Sequence, residues 1–388
     1  MKFVLVLATL VAYVSTETAL DEFTAGNHLF TSRLYTEVLK ENQNKNFLFS
    51  PLSAEIILSL TQAGAKGPTA EEFTTALNFP STQEKTQDAI KQFLPRLRSN
   101  TDDLQLATAN RLFLGKDFKV LDSFQQLASS VYEASAVNVN FGNNVEAAKT
   151  INSWVEDQTN KKIKDLISPD AVGALTRLVL VNALYFKGKW ASNFEEYATR
   201  KQKFYVTKEN TKEVDMMHQT GYFRYYECTK HNVKFLELPY KGDNVTMTIV
   251  LPNEIEGLAA VEDDISTYLK TPPYKHENVE VSLPKWLVET TIQLKPILQK
   301  LGLLKAFGNA DFSNLSKESL YIDSVIQKAF INVTESGTEA AAATAVSVNR
   351  ISSFQPKLDA KIFNADHQFF YVIKHSDVVL FAGKIHAI

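Results

Sequence analysis

The chain has 388 residues, 45% of them hydrophobic and 22% charged, with 14 Gly and 12 Pro, a composition that excludes disorder, collagen and coiled coil. Its 41 basic and 44 acidic residues leave a net charge of −3, so no global field draws a polyanion and nucleic acid is not an expected partner. The length is ample for one large core.

The first residues, MKFVLVLATLVAYVST, place Lys2 before an apolar run from Phe3 to Val14 and end in small residues, the layout of a secretory signal peptide over residues 1–16. The run is too short to span a bilayer, and no later stretch approaches that length, so a secreted protein free of the membrane is expected over 17–388. Secretion favours disulfides, yet Cys228 is the only cysteine, and stability must come from core burial. Three glycosylation sequons occur, at Asn244, Asn314 and Asn332; the first two are the candidates, because Asn332 lies in an alternating apolar run.

Phe23, Phe30, Leu34 and Val38 recur at helical spacing, predicting a helix over 20–40. Ser50-Pro51 opens a second helix that stops at Gly64 and Gly67, and Pro68 starts a third. INSWVEDQTNKKIKDLI reads as an amphipathic helix ending before Pro169 and Gly173. From Leu175 the pattern changes to LTRLVLVNALYF, a run suited to a strand covered on both faces. Alternating runs follow in YFRYYE, VKFLELPY, VTMTIVLP, VEVSLPKW, AFINVTE and FFYVIK. Helices early and strands late give an α+β fold, and no linker or repeat divides the chain.

Catalytic chemistry is hard to find. The seven histidines are scattered without metal-ligand spacing, no GxSxG elbow presents a serine, and Gly64-Ala-Lys-Gly67 is a turn rather than a phosphate loop. Neither an enzyme nor a cofactor is expected. The densest basic cluster, Lys161, Lys162 and Lys164, offers charge for a sulfated polysaccharide, although a solvated helix face is its ordinary reading.

Residues 335–353, ESGTEAAAATAVSVNRISS, stand apart as a stretch of small residues between two strand-like runs, long enough to be an exposed loop. By parity, Thr338, Ala340, Ala342, Thr344, Val346 and Val348 are small or apolar, while the intervening residues tolerate solvent. The loop is therefore patterned as a latent strand, roughly 40 Å long from Thr338 to Asn349 at about 3.3 Å per residue. An alanine-rich surface helix is the competing reading.

Five segments carry a resemblance: Asn46-Phe-Leu-Phe-Ser-Pro-Leu-Ser53, TRLVLVNALYFKGKW ending at Trp190, LELPY at 236–240, ADFSNLS at 310–316, and Glu335-Ser-Gly-Thr-Glu-Ala-Ala-Ala-Ala-Thr344. With Phe363-Asn-Ala-Asp-His367, which has an arthropod-like character, the chain resembles the serpins, the serine protease inhibitor family, over nearly its whole mature length. The resemblance implies three β-sheets, eight or nine helices and an exposed reactive-centre loop on a metastable, monomeric protein. It implies a suicide mechanism in which a protease cleaves the loop, the hinge inserts as a new strand, and the protease is trapped in a covalent one-to-one complex.

Carried onto this sequence, the hinge is Glu335, Gly337, Thr338, Glu339, Ala340, Ala341, Ala342, Ala343 and Thr344. The shutter maps to Ser50, Ser53 and Asn182, with Gln327 where a histidine is usual, and the breach tryptophan to Trp190. Family spacing counted from Glu335 puts the reactive bond at Ile351-Ser352, whereas the chemistry of a trypsin-like pocket favours Arg350-Ile351. The expected target is a trypsin-like serine protease. Papain-like or elastase-like proteases, or a non-inhibitory carrier or storage role, are the alternatives.

Overall fold

Thr18 opens the first helix: its hydroxyl accepts from the Asp21 amide while the Asp21 carboxylate accepts from the Thr18 amide, a reciprocal cap that starts α1 (Ala19–Glu41). The computed structural model describes residues 18–97, 103–242, 244–338 and 360–388, so the signal segment lies outside the described residues. After β1 (Phe47–Phe49), Ser50 caps α2 (Pro51–Ala63) and Pro51 occupies its first position. All of α2 is buried, as its apolar circumference requires. Gly67 begins α3 (Gly67–Leu77), which ends at left-handed Asn78 and is followed by α4 (Gln83–Leu97).

Next come β2 (Leu104–Gly115), α5 (Asp122–Val131), β3 (Ser135–Val139), α6 (Asn144–Gln158) and β4 (Leu178–Lys189). The expected long amphipathic helix thus stops at Gln158, because Asn160 and Lys161 adopt left-handed φ values of 50° and 60°. A long β-rich stretch follows: β5 (Arg200–Tyr205), β6 (Thr211–Cys228), β7 (Val233–Pro239) and β8 (Val245–Pro252). Two short helices, α7 (Leu258–Glu262) and α8 (Ile265–Leu269), precede β9 (Lys275–Pro284), β10 (Trp286–Gln293) and α9 (Leu294–Lys300). The chain closes with β11 (Ile322–Thr334), the two-residue β12 (Gly337–Thr338), β13 (Lys361–Asn364), β14 (Phe369–His375) and β15 (Val378–Ile385).

One sheet has six strands in the order β10-β11-β12-β4-β2-β3. The other described strands form a nine-stranded assembly whose two halves share the long β6, so the expected three β-sheets appear as one sheet and a continuous pair. Cys228, the only cysteine, closes β6 and is half-buried.

The six-stranded sheet is covered on both faces, which is why β4 reads as an apolar run rather than an alternation. On one face Val179, Val181, Ala183 and Ile326 pack with Ile151 and Val155 of α6. On the other, Leu178, Leu180 and Leu184 join the main core with Leu52 and Ile56 of α2. Parting β4 from β11 must therefore disturb two cores.

Candidate functional site: a strand gap between a latch and a hinge

β4 and β11 run parallel and pair directly from Leu178 with Ile322 to Tyr185 with Phe330. Beyond that they separate and β12 fills the opening, with Thr338 opposite Val333 on one side and Gly188 on the other. The sheet thus has a closed lower part and an occupied upper gap, and the sequence-predicted residues fall at these two places.

The closed part is latched from below by α2. Gln327 on β11 accepts the Ser50 amide on Oε1 at 2.9 Å and donates from Nε2 to the Ser50 carbonyl at 2.8 Å and Asn182 Oδ1 at 2.6 Å. Asn182 on β4 donates to the Ser53 carbonyl at 3.1 Å and also contacts the Ser53 hydroxyl and Asn110 Oδ1. The Ser50 hydroxyl donates to the Leu380 carbonyl at 2.6 Å on β15. All four predicted shutter residues are brought together, and Ser50, Ser53, Asn182 and Gln327 are fully buried. Removing one partner here strands several buried polar groups at about 1–3 kcal/mol each.

Asn110, on β2 directly opposite Asn182, belongs to the same cluster and is absent from the sequence-level set. A short amide side chain at the middle of the strand-like LQLATANRLFL is the signal that points to it.

At the top, Gly337 has φ +145°, and a Cβ there would lie 2.0 Å from the Gly188 carbonyl oxygen, so only glycine fits the close approach of β12 to β4. The Thr338 side chain is fully buried and its hydroxyl lies 2.6 Å from the Tyr240 hydroxyl. Burial pushes the Tyr240 hydroxyl well above its ordinary pKa, which keeps it protonated in that hydrogen bond. Trp190 stacks on Tyr240 with ring centroids 4.5 Å apart and donates from Nε1 to the Thr334 carbonyl at 3.0 Å. Its amide donates to the Ser336 carbonyl, so the tryptophan grips the chain on both sides of Glu335.

Glu335 is itself anchored outward. Lys285 lies 2.9 Å from one carboxylate oxygen, Thr199 donates to the other at 2.8 Å, and the Phe194 amide donates to its carbonyl. Burial pushes the carboxyl up, but the hydrogen bonds led by Lys285 outweigh it and hold the group below the usual glutamate range. Lys285 and Thr199 carry no sequence signal of their own as site residues, since their partners are remote in the chain, whereas Tyr240 closes the LELPY segment.

Other expected residues divide. Glu339, Ala340, Ala341, Ala342, Ala343, Thr344, Arg350, Ile351 and Ser352 lie outside the described residues. Lys161, Lys162 and Lys164 are exposed but sit in the turn after α6, which corrects the helix-face reading; left-handed Asn160 and Lys161 break the helix before them. The Lys164 carbonyl accepts from Lys328 Nζ at 2.7 Å. Asn244 is exposed in the β7–β8 turn at φ 60°, and Asn314 is exposed, although its Nδ2 donates to the Ala65 carbonyl at 3.3 Å. Among the described residues no group of three or more His, Cys, Asp and Glu side chains is placed to hold a metal, and no helix is long and apolar enough to cross a membrane.

A sheet held open at one end by its own chain and latched at the other is a specific arrangement, and the chain is similar to known proteins in both sequence and fold. The profile of the serpin (serine protease inhibitor) family matches residues 25–388. Antichymotrypsin-2 of Bombyx mori is 37% identical over 372 residues, covering 93% of this chain and 97% of that protein. Antitrypsin of Bombyx mori is 35% identical over 390 residues, covering 98% and 97%. The crystal structure of Serpin48, described as a highly specific serpin in the insect Tenebrio molitor, superposes with a TM-score of 0.88 at 41% identity, covering 95% of this chain and 98% of that one. With the match running from residue 25 to residue 388, through both the latch and the gap, the protein belongs to the serpin family.

Proposed function

We propose that this serpin is a secreted suicide-substrate inhibitor that traps a target protease by cleavage of its 339–359 loop and insertion of the loop's first half between β4 and β11. The observation that carries the reading is the register of β12. Thr338 already lies between Gly188 and Val333, and continuing that pairing sets Ala340 opposite Phe186, Thr344 between Asn182 and Gln327, and Val348 opposite Leu178 at the lower end of β4. The small or apolar parity of the loop thus falls on the α2 side of the sheet, where Thr338 is already buried. Thr344 brings a hydroxyl to the one buried polar layer in its path.

Insertion replaces one parallel β4–β11 ladder by two antiparallel ones, each added hydrogen bond contributing about 0.5–1.5 kcal/mol net. It also buries Val346 and Val348. Strand completion is therefore the downhill step, available only after the loop is cut, and capture of the acylated protease follows from it. The absence of a charge, a proline or a bulky side chain from Thr338 to Thr344 apart from outward Glu339 supports an inhibitory hinge over a carrier or storage role. The names of the Bombyx mori relatives point to serine proteases. We place the bait at Arg350-Ile351, with Ile351-Ser352 as the alternative. The N-terminal segment supports export, and exposed Asn244 and Asn314 are the positions for glycans.

The test is to mix the purified protein separately with trypsin, pancreatic elastase and a cathepsin-like cysteine protease, resolve the products on denaturing gels and locate the cut by intact mass. A stable adduct with trypsin, cut after Arg350, is expected. Cleavage by all three without any adduct would overturn the inhibitory reading.

A further inference from the structure

The parallel pairing of β4 with β11 is interrupted near its foot. Leu178 faces Ile322 and Val179 faces Ser324, so Asp323 is an extra residue on β11, a bulge beside the lowest rung of the seam. The bulge turns its carboxylate across that seam. Asp323 Oδ2 accepts from the Arg177 amide at 2.7 Å and from the Leu178 amide at 3.1 Å, standing in for backbone carbonyls that the interrupted ladder does not supply. Arg177 adds a second tie, donating from Nη1 to the Ser319 carbonyl at 2.8 Å with its guanidinium 4.6 Å from the centre of the Tyr321 ring.

Each side of this clasp is fixed to its own half of the sheet. Lys295 of α9 donates to the Asp323 carbonyl at 3.0 Å, and the neighbouring Ser324 hydroxyl donates to Gln293 Oε1 at 3.1 Å, at the end of β10. Opposite, the Arg177 carbonyl accepts from the Gly115 amide of β2 at 2.8 Å, and Leu178 pairs with Leu114. When the halves part, the bulge stays with β10 and β11, while Arg177 and Leu178 stay with β2. The bonds from the two amides to the carboxylate are then the ones that break. The latch of Ser50, Asn182 and Gln327 stands higher on the same seam.

We propose that Asp323 is a positioning residue for loop insertion: its carboxylate is the last lock on the seam, displaced only when the new strand runs to the foot of the sheet. The proposal rests on the inhibitory reading above. Continued from Thr338, the register brings Val348 to Leu178, so the strand down to Val346 enters with the clasp closed, and Val348 and Asn349 are the residues that meet it. The incoming backbone offers its own carbonyls to the Leu178 amide, and the carboxylate is released to water. The clasp therefore delays the final step of insertion without weakening the inserted state. Delay matters here, because an acyl bond held part-way stays open to hydrolysis, which frees the protease and spends the inhibitor.

The experiment uses two fluorophore-labelled synthetic peptides of the loop's own sequence, residues 339–346 and 339–349, with the unmodified protein, Asp323→Ala and Asp323→Asn. Capture into the sheet is followed by fluorescence anisotropy, and thermal midpoints are measured before and after nicking within 339–359. In Asp323→Ala the longer peptide should be captured about tenfold faster, since two charge-assisted hydrogen bonds no longer have to break. The shorter peptide should keep its unmodified rate, and the midpoint should fall in the intact protein but hold in the nicked one. Asp323→Asn, which keeps a neutral acceptor at the same place, should lie between and stays informative if the alanine variant folds poorly. An unchanged rate for the longer peptide, equal acceleration of both peptides, or an equal fall of both midpoints would overturn the proposal while leaving the inhibitory reading intact. An unmodified protein that captures neither peptide and gains no stability on nicking would remove both.

Discussion

Glu55 shows what a single buried carboxyl costs this molecule. It lies inside α2, accepts from Asn27 Nδ2 at 2.8 Å on one oxygen, and has no partner among the described residues for the other. Burial pushes its pKa well above the ordinary value, with the Asn27 hydrogen bond opposing only in part. The unfolded chain loses this proton near the ordinary glutamate value of 4.5 while the folded chain keeps it, so the native state binds more protons and stability falls as pH rises from there. Glu55→Gln retains the acceptor for Asn27 and removes the titration. Urea unfolding should give nearly equal stabilities at pH 4 and an advantage of about 1 kcal/mol or more for the variant at pH 7.5. By contrast Gln327, where the family resemblance calls for a histidine, makes its three hydrogen bonds without a titratable group, so the latch has no charge change of its own at mild acidity.

Among elements, β12 has a consequence out of proportion to its two residues. Gly337→Val would drive a side chain into the Gly188 carbonyl, at a φ that β-branched residues avoid. The hinge would leave the gap, Tyr240 would lose its Thr338 partner, and stability should fall by about 1–3 kcal/mol. Trp190, stacked on Tyr240 and bonded to the Thr334 carbonyl, reports the event. Its emission should shift to the red in the variant, compared in a background where Trp154 and Trp286 are phenylalanine. An unshifted spectrum would mean that β12 tolerates the valine.

The elements also differ in how legible they are. α2 and β4 announce themselves because burial on every side demands an unbroken apolar run, and α1 because its buried stripe repeats at helical spacing. The end of α6 is not readable, since Ile163 and Leu166 continue the apolar pattern after the helix has stopped and pack from an irregular strap. α4 and the β2–β3 pair fall outside the sequence-level expectations altogether. The parity that begins at Thr338 marks a latent strand, but where β12 sits is unreadable, because its pairing with Gly188 and Lys189 lies about 150 positions away. The same holds for the site. Ser50, Ser53, Asn182 and Gln327 are found through resemblance, whereas Asn110, Lys285 and Thr199 acquire their meaning only when the chain folds.

Over the whole molecule, the proposed insertion requires a native state that is not the most stable arrangement its sheet can reach. Limited proteolysis within 339–359 followed by calorimetry measures the difference. Insertion should raise the midpoint by more than 20 °C, a shift on the scale that many combined stabilising substitutions produce. A nicked protein melting where the intact one does would place this chain among serpins whose loop stays outside.

The single cysteine gives this rearrangement a further property. With Cys228 alone on β6, no covalent cross-link joins any two strands of the sheet that must widen. The proposed change of shape therefore depends on packing and hydrogen bonds, and a thiol reductant has no intramolecular disulfide to break. If the proposed inhibition holds, adduct formation measured with and without a thiol reductant should proceed at the same rate.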